Sequence, residues 1–179
     1  MRLMITGTPG CGKTTLAKRL GQQLGLKVIN EKDFALRNAL GFFDENNELV
    51  LPLEEFEEKA NSFLKQTDGI ILEGHVICEM KLKVDKVLLI TVNPEDLESR
   101  LERRSYSAEK IMDNVFCEGI EYCKKYVARN YPKSKIVQIS SRQTSAETFA
   151  EALKALHVKA SASLGGNAGA GKAGIKPKR

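Results

Sequence analysis

Gly7-Thr8-Pro9-Gly10-Cys11-Gly12-Lys13-Thr14 fits the pattern GxxxxGK[ST]. An apolar run, Leu3-Met4-Ile5-Thr6, precedes it, and Leu16, Leu20 and Leu24 recur at helical spacing after it. The pattern acquires meaning only in that setting of strand, loop and helix. Its glycines let the backbone curl until successive N–H groups point inward, and a helix N-terminus adds partial positive charge at the same point. Such a loop suits the phosphates of a nucleoside triphosphate. Lys13 would place an ammonium on the β- and γ-phosphates, the Thr14 hydroxyl would ligate Mg²⁺, and Thr15 would meet the α-phosphate. Gly10, Cys11, Gly12, Lys13, Thr14 and Thr15 are therefore the expected triphosphate-binding residues, with Mg²⁺ as the accompanying ion.

Outward from the loop, the elements alternate as strands and helices, which predicts an α/β fold with a parallel sheet covered on both faces. The helix after the loop runs from Lys13 to Leu24, and Gly25 can close it. Lys27 to Asn30 reads as a second strand, followed by a helix from about Lys32 to Leu40 and an irregular stretch from Gly41 to Pro52. Leu53 to Lys65 is helical. Gly69 to Leu72 is a third strand whose uniform apolarity predicts burial on both faces. Lys86 to Val92 is the fourth. Asn93 then caps a helix opened by Pro94 and running to about Arg104. The pattern predicts one long helix from Ser107 to near Tyr131, a fifth strand over Lys135 to Ile139, and a last helix from Ser145 to about Val158.

One domain, 1–158, accounts for these elements. The chain has 179 residues and a net charge of +5, and five of its basic residues lie beyond 158 with no acid among them. Residues 1–158 are therefore neutral overall. The Ser/Ala/Gly/Lys composition of 159–179 predicts a disordered basic tail, which could solubilise the chain or touch RNA through phosphate contacts. Gly166 to Lys172 repeats GxxxxGK there, but Ala173 replaces the metal-binding hydroxyl and neither strand nor helix flanks it. No apolar run approaches the length of a membrane span, and Met1 leads directly into a strand, leaving no room for a signal peptide. A cytoplasmic protein is expected, or a nuclear one in a eukaryote. Cys11, Cys78, Cys117 and Cys123 form no CxxC pair and no zinc spacing, so free thiols are expected. Cys11 is either a small filler or, beside phosphate-binding amides, a redox-sensitive thiol.

Phosphoryl transfer needs cations around the moving group. Arg100, Arg103 and Arg104 end the helix after the fourth strand and share roughly one helical face; the bland alternative is a solvated basic helix end. Glu73 and His75 follow the third strand, at the carboxyl edge where ligands bind in such sheets. Glu73 could hold a water of the magnesium shell. His75 could orient water or substrate, or could be a hydrogen-bonded structural residue. A GTPase is excluded by the lack of NKxD and DxxG, and the chain is short for a motor or AAA-type ATPase. A small kinase, or an ATPase on that plan, remains.

The loop 7–15, Glu73-Gly74-His75, and Arg100-Leu-Glu-Arg-Arg-Ser-Tyr106 with Lys110, Asn114 and Glu118 resemble the adenylate kinase isoenzyme 6 family over about residues 1–158. The resemblance implies a P-loop NTPase fold of the nucleoside monophosphate kinase kind. It implies an enzyme using ATP and AMP, with ATPase activity, a part in small ribosomal subunit maturation, and a small-subunit ribosomal protein as partner. By position, about 30–53 would form the nucleoside monophosphate region, with Asn30 and Arg37 as candidate contacts, and about 103–113 a short lid. Lys13, Arg100, Arg104, Glu73 and His75 would carry catalysis, while Arg104 would also contact ATP and Gln143 the adenine. Ser105 departs from the glycine usual before Tyr106. An assembly factor with little kinase role, or a kinase for another acceptor such as CMP or shikimate, remains open.

Overall fold

The computed structural model describes residues 1–157 apart from Asn46. Five parallel strands, β1 (Arg2–Thr6), β2 (Lys27–Asn30), β5 (Ile70–Gly74), β6 (Lys86–Thr91) and β7 (Ile136–Ser140), form one sheet in the order β2-β5-β1-β6-β7. Strand β1 is central, so the loop that leaves it opens where the chain turns from one half of the sheet to the other. In these folds that switch point is where ligands bind. Register aligns the carboxyl ends: Asn30 lies opposite Glu73, Thr6 opposite Gly74 and Leu89, and Thr91 opposite Ser140.

Alternation along the strands divides the apolar side chains between two cores. Leu3, Ile5, Ile71, Leu88 and Ile90 face α1 (Lys13–Leu24), α4 (Pro94–Glu102) and α7 (Ser145–Ala155), where Leu16, Leu20, Leu97, Leu101 and Leu153 meet them. Met4, Ile70, Leu72, Val87 and Leu89 face the other way. There they meet Phe34, Phe56, Leu64 and Val127 of α2 (Glu31–Arg37), α3 (Leu53–Gln66) and α6 (Tyr122–Asn130). The third predicted strand is buried along its whole length, as its composition demands.

Local signals set most boundaries. Gly25 closes α1 at φ 65°, Asn93 accepts from Glu95 N with Pro94 next, and Thr144 and Glu147 form a reciprocal capping box at α7. Several expectations need correction. The helix expected over 32–40 starts at Glu31, because Asn30 caps it, and ends at Arg37, where Asn38 N already bonds both Phe34 O and Ala35 O. The stretch expected to be irregular contains a short antiparallel hairpin, β3 (Phe42–Phe43) and β4 (Leu49–Val50). The helix expected over 107–131 is two helices, α5 (Ala108–Gly119) and α6, because Glu121 takes a left-handed conformation at φ 56° and turns the chain. The last helix, expected to run to about Val158, ends at Ala155, and His157 beyond it takes a left-handed φ of 57°; the tail 159–179 with its second GxxxxGK lies outside the described residues.

Gly21 packs α1 against β2 so closely that a Cβ there would lie 2.5 Å from Val28 Cγ2 and 2.9 Å from Leu26 O. Gly119, at the end of α5, has nothing within 4 Å of the same position. Gly21→Ala should therefore destabilise by roughly 1–3 kcal/mol through overpacking. Gly119→Ala should stabilise by about 0.4–1 kcal/mol, through a stiffer unfolded chain. Urea midpoints of the two variants, at unchanged m-value, measure the contrast.

Candidate functional site

The loop 7–12 turns on glycines whose conformations other residues resist. Gly7 has φ 151°, and a Cβ on it would collide with the Ile90 carbonyl; Gly12 has φ 104°. Lys13, although 9% exposed, is held by the loop's own carbonyls: Nζ donates to Gly7 O at 2.8 Å and Thr8 O at 3.1 Å. Its ammonium is thus stationed across the mouth of the loop. Cys11 is fully buried beneath it, and that burial pushes its thiol pKa up, which favours the filler reading over the redox-sensitive one.

Beside the loop, Glu73 at the end of β5 is 1% exposed. Its Oε1 accepts from Thr14 Oγ1 at 2.9 Å and Asn30 Nδ2 at 2.8 Å, while its buried Oε2 has no partner. A buried carboxylate oxygen left without a donor is costly, and an ion or its water shell would answer it. Among the described residues no three His, Cys, Asp or Glu side chains group to cage a metal. One hydroxyl and one carboxylate suit Mg²⁺, which binds few protein ligands and completes its shell with phosphate and water. Thr14 and Glu73 fit that ion.

His75 adjoins the same corner. Its Nδ1 lies 3.3 Å from Gly7 O and 3.5 Å from Cys123 Sγ. Burial opposes its charged form, but the Cys123 contact prevails and its pKa is raised. Glu31, which the sequence reading passed over, fixes the turn: His75 N donates to its Oε1 at 2.9 Å and Ile77 N to its Oε2 at 3.2 Å. Burial raises the pKa of Glu31, with the two backbone donors opposing it. Glu31 could have been found by the rule that drew notice to Glu73, as an acid at the carboxyl end of a parallel strand.

On the α1 side, Gly10, Gly12 and Thr15 face Arg100, Arg104 and Gln143 across a cavity of about 160 Å³. Arg100 donates to Ser141 Oγ at 2.7 Å and Arg142 O at 2.9 Å, so it braces the 141–145 loop. Arg104 lines the same cavity and Arg103 does not, which corrects the expectation of three arginines on one face: α4 ends at Glu102 and the chain turns away there. Ser105, in place of glycine, takes φ 57° in that turn.

On the other side of Pro9 lies a larger cleft of about 710 Å³, walled by Glu48 of the hairpin loop and by Tyr106, Lys110 and Asn114 of the α5 segment. Lys110 and Glu48 form an ion pair across it. Asn30 is engaged at both ends of its amide, by Lys32 N and by Glu73. Arg37 is exposed in the last turn of α2, about two turns from the sheet edge.

Glu118 was read only as part of a pattern. Here its carboxylate joins Thr8 Oγ1 of the loop to Val92 N at the end of β6, the latter at 2.8 Å. No local signal could reveal this, since Thr8 and Glu118 are 110 residues apart.

A phosphate loop, a buried acid and paired arginines at the carboxyl edge of a parallel sheet define a P-loop kinase domain. The shikimate kinase of Bacteroides thetaiotaomicron shares the fold at TM-score 0.61 and 15% identity, over 88% of this chain and 99% of that one. The Aquifex aeolicus shikimate kinase does so at TM-score 0.57 and 16% identity, over 88% and 96%.

Residues 3–121 match the family described as AAA domain. The shortness of the chain thus argues against a motor but not against that family. A Methanocaldococcus jannaschii protein named "Putative adenylate kinase" is 35% identical over 127 residues, 69% of this chain and 70% of that protein. A Thermococcus kodakarensis protein of the same name is 36% identical over 121 residues, 68% of this chain and 66% of that protein. A Plasmodium falciparum protein named "Adenylate kinase isoenzyme 6 homolog" is 28% identical over 155 residues, 76% and 83%. The chain belongs to this adenylate kinase isoenzyme 6 family. It spans about two thirds of the length of the two archaeal relatives. No helix among the described residues is long and apolar enough to cross a membrane.

Glu118→Ala should cost roughly 1–3 kcal/mol, because it leaves the Val92 N–H and the Thr8 hydroxyl without an acceptor. Glu118→Gln, which retains a carbonyl oxygen, should recover part of that loss. Equilibrium denaturation of both variants against the parent gives the comparison, and an unchanged midpoint for Glu118→Ala would refute the tie.

Proposed function

We propose that this chain transfers the γ-phosphoryl group of ATP to AMP, giving two ADP, and hydrolyses ATP when no acceptor is present. The observation that carries the reading is the placement of two separate cavities on either side of one phosphate loop. The smaller, between Gly12 and Gln143, would take adenine and ribose, and the larger, beyond Pro9, would take the acceptor. Lys13 and Thr14, next in the chain after the loop residues that line the smaller cavity, and Glu73, which accepts from Thr14, would serve the phosphates.

The roles follow from charge and position. The loop amides and the Lys13 ammonium would balance the negative charge that spreads over the γ-phosphoryl oxygens as its bond to the β-phosphate breaks. Arg104 would add a second cation from the adenine side, while Arg100 holds the 141–145 loop on the base. Mg²⁺, held by Thr14 and through water by Glu73, would supply charge neutralisation on the phosphates. An AMP phosphate oxygen attacks in line, and ADP leaves. With water in place of AMP, His75 and Glu73 are the groups placed to orient it. Arg37 would serve the AMP phosphate only if α2 and the hairpin moved toward the loop.

A second reading is favoured by one feature. Met112 and Phe116 on α5, and Ile120 just beyond it, recur every four residues and are 66%, 64% and 36% exposed, an apolar stripe facing outward. That stripe suits a protein partner, in keeping with an ATP-driven assembly factor that handles a small-subunit ribosomal protein. The basic tail would add RNA contacts. A purified small-subunit ribosomal protein should then be captured by the parent chain and lost on Phe116→Asp.

ADP formation measured with ATP alone, and with AMP, CMP or shikimate added, separates the readings. Kinase chemistry requires AMP to raise the rate well above the no-acceptor control; equal rates with and without AMP would sink it. Lys13→Ala should lower turnover on the order of a hundredfold or more by removing one charge-stabilising donor, with an unaltered circular dichroism spectrum. Normal turnover in Lys13→Ala would overturn the site itself.

A further inference from the structure

Two thiols lie outside both cavities just assigned. Cys78 belongs to the 3-10 turn Val76–Glu79 after β5, and Cys123 to the first turn of α6. The turn packs on α6, and Asn130 fastens the two, its Nδ2 donating to Cys78 O at 3.2 Å and Glu79 O at 2.9 Å. This brings the two thiols into hydrogen-bonding contact. Cys123 Sγ also lies 3.5 Å from His75 Nδ1.

The contact separates their chemistry. The contact with Cys78, opposed by burial and helped by His75, pulls the Cys123 thiol down. The same contact, together with burial, pushes Cys78 up. Cys123, set against His75, is thus the nucleophile of the pair, and Cys78 beside it is the resolving thiol. Access is also unequal. Both are buried, Cys78 at 0% and Cys123 at 4% exposure, but Cys123 also forms part of the wall of a cavity of about 260 Å³ with Val92, Pro94 and Glu121. Glu121 at its rim is exposed. A small reactant entering there meets Cys123 first. Burial pushes up the thiols of Cys11 and Cys117 instead, making both poorer nucleophiles.

We propose that Cys123 and Cys78 are a reversible oxidation site, in which a small hydroperoxide entering beside α6 converts the pair to a disulfide. In the first step the Cys123 sulfur attacks a peroxide oxygen, the O–O bond breaks, and hydroxide leaves. Cys123 is oxidised by two electrons to the sulfenic acid and the peroxide is reduced. Cys78, giving its proton to the departing oxygen, then attacks the Cys123 sulfur; the S–S bond forms, the S–O bond breaks and water leaves. With hydrogen peroxide the sum is two thiols and one peroxide giving one disulfide and two waters. A thiol reductant reverses it by exchange. Closing the bond removes the Cys123 thiolate from His75 Nδ1, so the oxidation state of this pair is passed to the turn that Glu31 and Gly7 share.

The test treats the full chain with hydrogen peroxide near stoichiometry and digests it without reduction. Mass spectrometry should find the peptides of Cys78 and Cys123 joined, two hydrogens lighter than the reduced pair, and dithiothreitol should separate them. Cys78→Ala should stop at a sulfenic acid on Cys123, trapped by dimedone, while Cys123→Ala should leave Cys78 unoxidised. Because the first readout uses the parent chain, it does not depend on the variants folding. Oxidation at Cys117 or Cys11 before this pair would overturn the proposal. So would a sulfinic acid on Cys123 with Cys78 still a thiol, or inertness in folded protein whose unfolded form reacts.

Discussion

The carboxylate of Glu73 is the point on which the rest of this site depends. It accepts from Thr14, the first turn of α1, and from Asn30, the end of β2, while belonging to β5 itself. Three elements are therefore joined through one oxygen, and the other is left buried and bare. Such an arrangement holds its shape only if the carboxyl ends of β2, β5 and β1 stop level, as the register of Asn30 with Glu73 and Thr6 with Gly74 requires. The sheet's alignment and the Glu73 corner are consequently one constraint. The second carboxylate oxygen, buried beside the one that accepts from Thr14 and Asn30, has no donor of its own, a costly arrangement that leaves an unmet demand for positive charge.

A second layer of contacts makes the corner rigid. Glu31 receives the His75 and Ile77 amides, and Glu118 receives the Val92 amide and the Thr8 hydroxyl. Both acids thereby neutralise backbone donors at strand ends that no neighbouring strand can reach. The loop is thus held from below by β1, from one side by Glu73 and from the other by Glu118.

What the sequence disclosed follows the range over which each feature is specified. The phosphate loop, the strands and the caps at Asn93 and Gly25 are local patterns, and they stood where their letters placed them. The division of the long helix at Glu121 was hidden because Gly119 is tolerated inside helices, and a left-handed glutamate leaves no signal of its own. The hairpin 42–50 was missed because its strands are two residues each, too short to show alternation. Arg100, Arg103 and Arg104 separated because a helix ended two residues early, and one turn decides which way an arginine points. Glu118 was beyond reach for a different reason: its partner is fixed by tertiary packing alone. The tail 159–179 was read from composition, and it lies outside the described residues.

The two sides of the loop are built to different tolerances, and that difference bears on how such a site could work. The side toward Gln143 rests on α1, α4 and α7, whose buried leucines fill one core. The side beyond Pro9 rests on the hairpin and on α5, which has no fully buried residue and packs Ile111 and Val115 against that core. Across the acceptor cleft runs the Lys110–Glu48 pair, with both side chains about half exposed. An exposed pair of that kind is screened by solvent and adds little to stability. Breaking it costs little more than thermal energy, so the cleft can open without disturbing the sheet. Segments with few buried contacts are the ones that move in ligand binding, and here they wall the cleft beyond Pro9, while the phosphate loop rests on the packed sheet. A rigid donor side and a loosely latched acceptor side would let one acceptor enter after the triphosphate is seated. The same looseness goes with an α5 that turns Met112 and Phe116 outward rather than into either core.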